Sequence, residues 1–307
     1  MAKKLKGVID IGTNTVRLLL AWVDNKSVVV KEQDLETTRL GKGFSQNNYL
    51  SGEAVKHTVK VVDKFYKYAR GQGAESMKVM ATGAVREAAN KQDIKLQIEE
   101  VITGELQILS EREEALLSYR GAVRSLHFTK DEAMVFDLGG GSTEFIWSEE
   151  GELQTSSFPM GAVKLLEKYS LYDKPEEESI QQAQSDFRKL ISSVPEVKEN
   201  GSLLGVGGTL TTLAAIKKGL KTYNPRKIHG TILSSFDLSH LQQLLCHSTL
   251  AERKDIDGLP EDRADVIVAG VIAVIAIMEQ TEAPNIFVSE GDLLSGALSE
   301  AGQDISI

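Results

Sequence analysis

Two stretches of the chain carry the same order of apolar and polar positions. Val8-Ile9-Asp10-Ile11-Gly12-Thr13-Asn14-Thr15-Val16-Arg17-Leu18-Leu19 aligns without a gap on Val135-Phe136-Asp137-Leu138-Gly139-Gly140-Gly141-Ser142-Thr143-Glu144-Phe145-Ile146. Asp137 lies 127 positions beyond Asp10, a domain length rather than a solenoid period. Each copy reads as an apolar strand ending in aspartate, a turn of glycine and small polar residues, and a second apolar strand. That is the pattern of a β-hairpin. A duplicated domain with a cleft between the copies follows as the expectation.

The pattern beyond the hairpins predicts alternating elements. The first copy stays β-rich to about Leu35 and then meets a loop, Gly41-Lys42-Gly43. Ser51 reads as the N-cap of a long helix that stops near Gly71 and Gly73. A strand over 77–81, helical segments over 85–90 and 94–102, a strand over 106–109 and a helix over 111–125 follow. The second copy predicts strands over 133–138, 143–148 and 152–158 and helices over 161–169 and 176–192. A strand over 203–206 runs into Gly207-Gly208-Thr209 and a helix. Helices over 237–247 and 262–280, a strand over 285–289 and a last helix over 292–301 complete it. Alternation of this kind predicts an α/β architecture, with domains 1–127 and 128–307. The apolar run Val266 to Met278 is shorter than the about 20 residues a bilayer requires, and reads as a buried helix.

Composition narrows the classes. The 307 residues suggest two domains at about 150 residues each. With 41% hydrophobic and 26% charged residues the chain is neither disordered nor collagenous. Its single cysteine, Cys246, excludes an internal disulfide framework and a four-cysteine zinc site, and a reducing, cytoplasmic setting is expected. Lys3, Lys4 and Lys6 precede an apolar run that Asp10 interrupts, which is not a signal peptide. The net charge of −9 argues against general nucleic-acid binding. A local basic patch remains: from Lys217 to Phe236 there is no acidic residue, and Lys217, Lys218, Lys221, Arg226, Lys227 and His229 lie within it. It either guides a polyanion or is a solvated loop.

The chemistry concentrates at the turns. Glycine lets a backbone approach a phosphate and aim N–H groups at it, so Gly12, Thr13, Asn14 and Thr15, and Gly139, Gly140, Gly141, Ser142 and Thr143, are candidate phosphate contacts. A carboxylate beside phosphate is repulsive unless a cation intervenes, and Asp10 and Asp137 therefore suggest Mg²⁺. The alternative is an aspartate that caps a tight glycine turn, and the duplication weighs against it. Gly207, Gly208 and Thr209 form a third element, in which the first N–H groups of a helix face a ligand. Glu113 and Glu114 open a helix, where acids complement the dipole, and either could serve as general base toward water in phosphoryl transfer. Glu144 reads as a metal ligand or a second base. Arg86 is a phosphate clamp or a surface ion pair. The five histidines show no metal spacing, and neither a Gly-x-Ser-x-Gly elbow nor a P-loop is present. Cys246 reads as core.

The motifs resemble those of the exopolyphosphatase / guanosine pentaphosphate phosphohydrolase family, in its short two-domain form. Besides the two hairpins, the resemblance rests on Ala81-Thr82-Gly83-Ala84-Val85-Arg86-Glu87-Ala88, Leu109-Ser110-Glu111-Arg112-Glu113-Glu114-Ala115, Phe158-Pro159-Met160-Gly161-Ala162-Val163 and Gly205-Val206-Gly207-Gly208-Thr209. Asn224-Pro225-Arg226-Lys227-Ile228-His229-Gly230 and Arg263-Ala264-Asp265-Val266-Ile267 extend it. The resemblance implies two ribonuclease H-like domains of the actin, heat-shock chaperone and acetate-kinase superfamily around an interdomain cleft, the last helix packing back on the first domain. It implies Glu114 as base, Arg86 beside the scissile phosphate, and Asp10, Asp137 and Glu144 near the metal. The implied activity is release of terminal orthophosphate from inorganic polyphosphate, or of the 5′ γ-phosphate from guanosine pentaphosphate. Mg²⁺ is the implied cofactor, with Mn²⁺ or K⁺ as variants; a homodimer is expected as the common default, with no nucleic-acid or membrane partner. A polyphosphate- or guanosine-tetraphosphate-binding module and a small-molecule kinase or ATPase of the same superfamily are the alternatives. Leu293-Leu294-Ser295-Gly296 stands where the family has Leu-Arg-Glu-Gly, and Val268 stands where it has proline.

Overall fold

The computed structural model describes residues 3–41, 48–299 and 304–306. Lys42 and Gly43 of the expected loop, and residues 300 and 301 of the expected last helix, lie outside the described residues. In chain order the elements are β1 (Lys4–Ile11), β2 (Thr15–Val23), β3 (Ser27–Thr37), α1 (Gly52–Gly71), β4 (Ser76–Ala81), α2 (Gly83–Glu87), α3 (Lys91–Glu99), β5 (Leu106–Ile108), α4 (Glu111–Ser125), β6 (Ala133–Leu138), β7 (Thr143–Glu149) and β8 (Glu152–Phe158). They continue with α5 (Ala162–Tyr169), α6 (Glu177–Leu190), β9 (Ser202–Val206), α7 (Gly208–Lys217), α8 (Pro225–Ile228), β10 (Ile232–Ser234), α9 (Ser235–His247), α10 (Leu250–Lys254), α11 (Ile267–Thr281), β11 (Asn285–Val288), α12 (Leu293–Leu298) and β12 (Asp304–Ser306).

The chain divides into two compact units. One spans Met1–Gly121 and Leu293–Ser306, the other Ala122–Asp292. The division falls inside α4, and α12 and β12 belong to the first unit.

The duplication seen in the hairpins extends to whole sheets. The first sheet runs β12-β3-β2-β1-β4-β5 and the second β10-β11-β9-β6-β7-β8. Without the outermost strands β12 and β10 the two orders are the same: three antiparallel strands, then two more parallel to the first. The extra strands differ, with β12 parallel to β3 and β10 antiparallel to β11. In each sheet the parallel strands end in register, Ile11 opposite Ala81 and Ala81 opposite Ile108 in one, Asp137 opposite Val206 and Gly205 opposite Val288 in the other. The loops that follow therefore gather at one edge, where open α/β sheets bind ligands.

Each unit has its own core. In the first, α1 lays Val55, Val61, Val62, Phe65 and Ala69 against the sheet, and Ser51 Oγ accepts the Ala54 N–H at 3.2 Å as its cap. In the second, α11 is buried on nearly every face and packs on α5, α6, α7 and α9. No side chain caps its N-terminus. Burial of its Ile and Val residues, about 1.5–3 kcal/mol each, outweighs that. The expected start at 262 is corrected: Glu261–Arg263 form a single 3₁₀ turn and the helix begins at Ile267. Arg263 Nη1 donates to Gly208 O at 2.6 Å and to Thr212 Oγ1 at 2.9 Å, which holds that turn out of the helix. Among the described residues no helix is long and apolar enough to cross a membrane.

α12, which carries Leu293-Leu294-Ser295-Gly296, is buried along its whole length, with Leu294 4% and Ser295 1% exposed. Small and apolar side chains suit that environment. Lys78 Nζ donates to Ala297 O at 2.6 Å and Arg120 Nη1 to Ser299 O at 3.3 Å, supplying cations to its last carbonyls. A Cβ at Gly296 would lie 1.9 Å from Leu117 O, so α12 and α4 touch backbone to backbone. Gly296→Ala is expected to cost about 3 kcal/mol, as overpacking against a rigid neighbour does, read as a lowered urea midpoint.

Candidate functional site

In the first unit the edge carries the Gly12–Asn14 tip, α2 and the start of α4. The tip is held by its carbonyls: Thr13 O accepts from Gly41 N at 2.7 Å, and Asn14 O from Thr38 N at 3.0 Å and Arg39 N at 2.8 Å. Among the described residues no acceptor is bonded to the Thr13 or Asn14 N–H. Thr13 Oγ1 accepts the Ala84 N–H at 3.2 Å, which ties the tip to α2. From α2, Arg86 Nη1 donates to Glu114 Oε2 at 2.6 Å and to Leu109 O at 3.2 Å, and Arg86 Nη2 lies 3.9 Å from Glu111 Oε1.

These contacts separate the two acids that the sequence left open. Glu113 closes a capping box: its carboxylate accepts the Ser110 N–H at 2.8 Å, and its own N–H reaches Ser110 Oγ at 3.3 Å. Those hydrogen bonds hold its carboxyl below the usual carboxylate range. Glu114, one position on, faces Arg86. Asp10 is 3% exposed, and Arg17 donates to its Oδ2 from Nη2 at 2.7 Å and from Nε at 3.1 Å. Asp10, expected beside a metal, is ion-paired with Arg17.

The second unit repeats the arrangement with different partners. Carbonyls of the Gly139–Ser142 turn accept from the first turn of α5: Ala162 N to Gly139 O at 2.9 Å and Val163 N to Gly140 O at 2.9 Å. Among the described residues no acceptor is bonded to the Gly140 or Gly141 N–H. Thr143, expected to reach phosphate, is wholly buried and its hydroxyl donates to Met160 O at 2.7 Å, so it anchors the loop. Next along the edge, Gly207 at φ +93° leads into α7, whose first N–H groups have no partner within the helix. A Cβ at Gly207 would lie 2.7 Å from Asp137 Oδ1, so both the backbone angle and the carboxylate require glycine there.

In register, Asp137 stands opposite Glu144 as Asp10 stands opposite Arg17. The first hairpin thus pairs an acid with a base, and the second sets two acids side by side. Ser157 Oγ donates to Glu144 Oε1 at 3.0 Å. Among the described residues no group of three or more His, Cys, Asp or Glu is placed to hold a metal. Two carboxylates nonetheless suit Mg²⁺, which takes one or two from protein and the remainder from water and phosphate oxygens.

Sequence reasoning passed over a polar cluster at the same edge of the second sheet. Tyr223 Oη donates to Glu290 Oε1 at 2.5 Å. His229 Nδ1 accepts the Glu290 N–H at 3.2 Å while its Nε2 meets Ser125 O at 3.1 Å, and burial lowers the imidazole pKa. Of the basic stretch, Lys217 is bound to Asp237 and to Ile232 O at 2.8 Å each. Burial pushes the Glu290 carboxyl up to about 7; the Tyr223 hydroxyl opposes this, Asp292 adds to it and Arg263 opposes it. The folded protein then keeps a proton that the unfolded chain loses above the ordinary value of 4.5. The stability from that protonation is complete below 4.5 and is lost as pH rises through about 7. Glu290→Gln is expected to melt closer to the native protein at pH 6 and above it at pH 8, in thermal unfolding at the two pH values.

Two sheets of one topology, each with glycine turns at the C-terminal ends of its parallel strands, define a duplicated α/β fold. The chain matches the Ppx/GppA phosphatase family over residues 21–301 and belongs to it. Exopolyphosphatase 2 of Mycobacterium tuberculosis is 31% identical over 98% of this chain and 100% of its own. A bifunctional 3-dehydroquinate synthase/phosphatase of Fusobacterium nucleatum is 32% identical over 96% of this chain, which spans 46% of that relative's length. The crystal structure of the Aquifex aeolicus member of the Ppx/GppA family superposes with a TM-score of 0.87 at 27% identity, covering 96% of each chain.

Proposed function

We propose that the chain is an exopolyphosphatase, releasing orthophosphate from the end of inorganic polyphosphate, with guanosine pentaphosphate as a second substrate presenting the same terminal anhydride. The observation that carries this reading is the state of the two hairpin tips. Their carbonyls accept from protein N–H groups, while among the described residues the Thr13, Asn14, Gly140 and Gly141 N–H groups have no protein acceptor. Such tips suit anionic oxygens. Family membership makes phosphoric anhydride hydrolysis the chemistry.

In this reading Glu114 orients a water molecule and takes its proton as the water oxygen attacks the terminal phosphorus. The bridging P–O bond breaks and its electron pair leaves with the shortened chain. Arg86 and the N–H groups of the first tip hold phosphate oxygens in line. Asp137 and Glu144 are the residues that would hold Mg²⁺, which when bound neutralises charge on phosphate oxygens. Asp10, matched by Arg17, positions the first tip.

The test is phosphate release by the purified chain from long-chain polyphosphate and from guanosine pentaphosphate, with Mg²⁺ and with a chelator. Release from polyphosphate that the chelator abolishes is expected. Tight binding without release would replace the reading with a binding module, and ATP-dependent transfer to an acceptor with a kinase.

A further inference from the structure

The two residues that the reaction uses in the first unit are bound to each other. Arg86 Nη1 and Glu114 Oε2 are 2.6 Å apart. A guanidinium at that distance stabilises the ionised carboxylate and weakens it as a proton acceptor. While the pair is closed, Arg86 Nη1 and Glu114 Oε2 are spent on each other.

We propose that Arg86 is a substrate-operated latch on Glu114: the terminal phosphate draws the guanidinium away and so frees the carboxylate to accept the proton of water. The inference rests on the reading of Glu114 as the base. Three observations support it. Both side chains still reach solvent, 21% and 34% exposed, so an incoming anion can meet the guanidinium. A terminal phosphate carries more charge than a carboxylate and fits the guanidinium fork with two oxygens. Arg86 sits on the short helix that Thr13 Oγ1 ties to the first tip, so the residue that would move stands on the element that would sense the phosphate. Charged groups about the pair among the described residues include Glu111, 3.9 Å from Arg86 Nη2, and Lys91, whose Nζ donates to Arg86 O at 3.4 Å. Glu113 is turned to Ser110.

The experiment compares the native chain, Arg86→Met and Arg86→Lys. The acid limb of kcat/KM reports the free enzyme and that of kcat the substrate complex. In the native chain the first is expected to lie below the second by at least about one pH unit, the effect of an opposite charge at ion-pair distance. In Arg86→Met the two limbs are expected to coincide, with KM raised. Arg86→Lys keeps the charge and is expected to restore the gap but not KM. A gap that persists in Arg86→Met, or is absent from the native chain, overturns the latch.

A second readout needs no turnover. The ¹³C shift of the Glu114 carboxyl is followed against pH with and without inorganic tripolyphosphate, Mg²⁺ withheld. Tripolyphosphate is expected to move its titration upward in the native chain and not in Arg86→Met. An unmoved titration in the native chain refutes the latch even if the chain hydrolyses polyphosphate. A moved titration in a chain that hydrolyses nothing upholds the exchange and removes only the base reading.

Discussion

Glu114→Gln is expected to lower kcat for phosphate release about 10²–10⁴-fold, the range that a positioned general base supplies. The amide has the shape of the carboxylate and still accepts from Arg86 Nη1, so the start of α4 keeps its place. Removing one negative charge from a first helical turn costs only about 0.3–1 kcal/mol, and Glu111 and Glu113 remain there. KM should hold or fall, because Arg86 is bound less tightly in the free protein. Glu113→Gln is the control. Its amide oxygen still accepts the Ser110 N–H and keeps the capping box, and it is expected to keep both its stability and its turnover. The reverse outcome, full turnover in Glu114→Gln and loss in Glu113→Gln, would transfer the role to Glu113. Phosphate release and urea unfolding on the same three proteins decide it.

The two glutamates also mark how far local pattern reaches. A sequence of Ser-x-x-Glu opening an apolar helix marks the cap, and α4 spans the residues expected for it. What distinguishes Glu114 is a contact with Arg86, 28 positions earlier, and contacts at that separation leave no periodic trace. The hairpins were legible because alternation of apolar residues and glycine turns is local, and their duplication sets the order of both sheets. The short elements β10, β12, α8 and α10 were not expected, because neither a repeated pattern nor a flanking glycine turn marks them. The early start assigned to α11 has a tertiary cause, since the Arg263 side chain is drawn to Gly208 and Thr212.

The site shows the same division. Glycine and hydroxyl content placed the tips, but not which of their groups are already spent. Thr143 has the composition of a phosphate ligand, yet its hydroxyl belongs to Met160 O. The Tyr223 and Glu290 pair joins residues from distant loops that only the parallel run of β9 and β11 brings to one edge. Arg17 was within reach: the gapless alignment of the hairpins sets it on Glu144, and hairpin register then puts each across from its aspartate.

That register yields opposite stability changes at equivalent positions. Arg17→Gln leaves the Asp10 side chain, 5% exposed, without its cation. Breaking a buried pair from one side costs about 3–5 kcal/mol, and because Arg17 itself is 32% exposed the lower end is expected. Glu144→Gln removes one of two like charges that face each other across β6 and β7, and facing like charges destabilise a sheet by roughly 0.2–1 kcal/mol. Its unfolding midpoint should therefore rise. Its activity should fall for the same reason, because the repulsion that a cation relieves is also what attracts the cation. Loss of even an outer partner of a bound metal weakens affinity by about 10–100-fold, so half-maximal phosphate release is expected to need at least about tenfold more Mg²⁺. Urea midpoints and Mg²⁺ titrations of the two variants test both halves. A Glu144→Gln protein that is less stable, with its Mg²⁺ requirement unchanged, would show that Asp137 and Glu144 are joined by a shared structural partner rather than held apart for a cation.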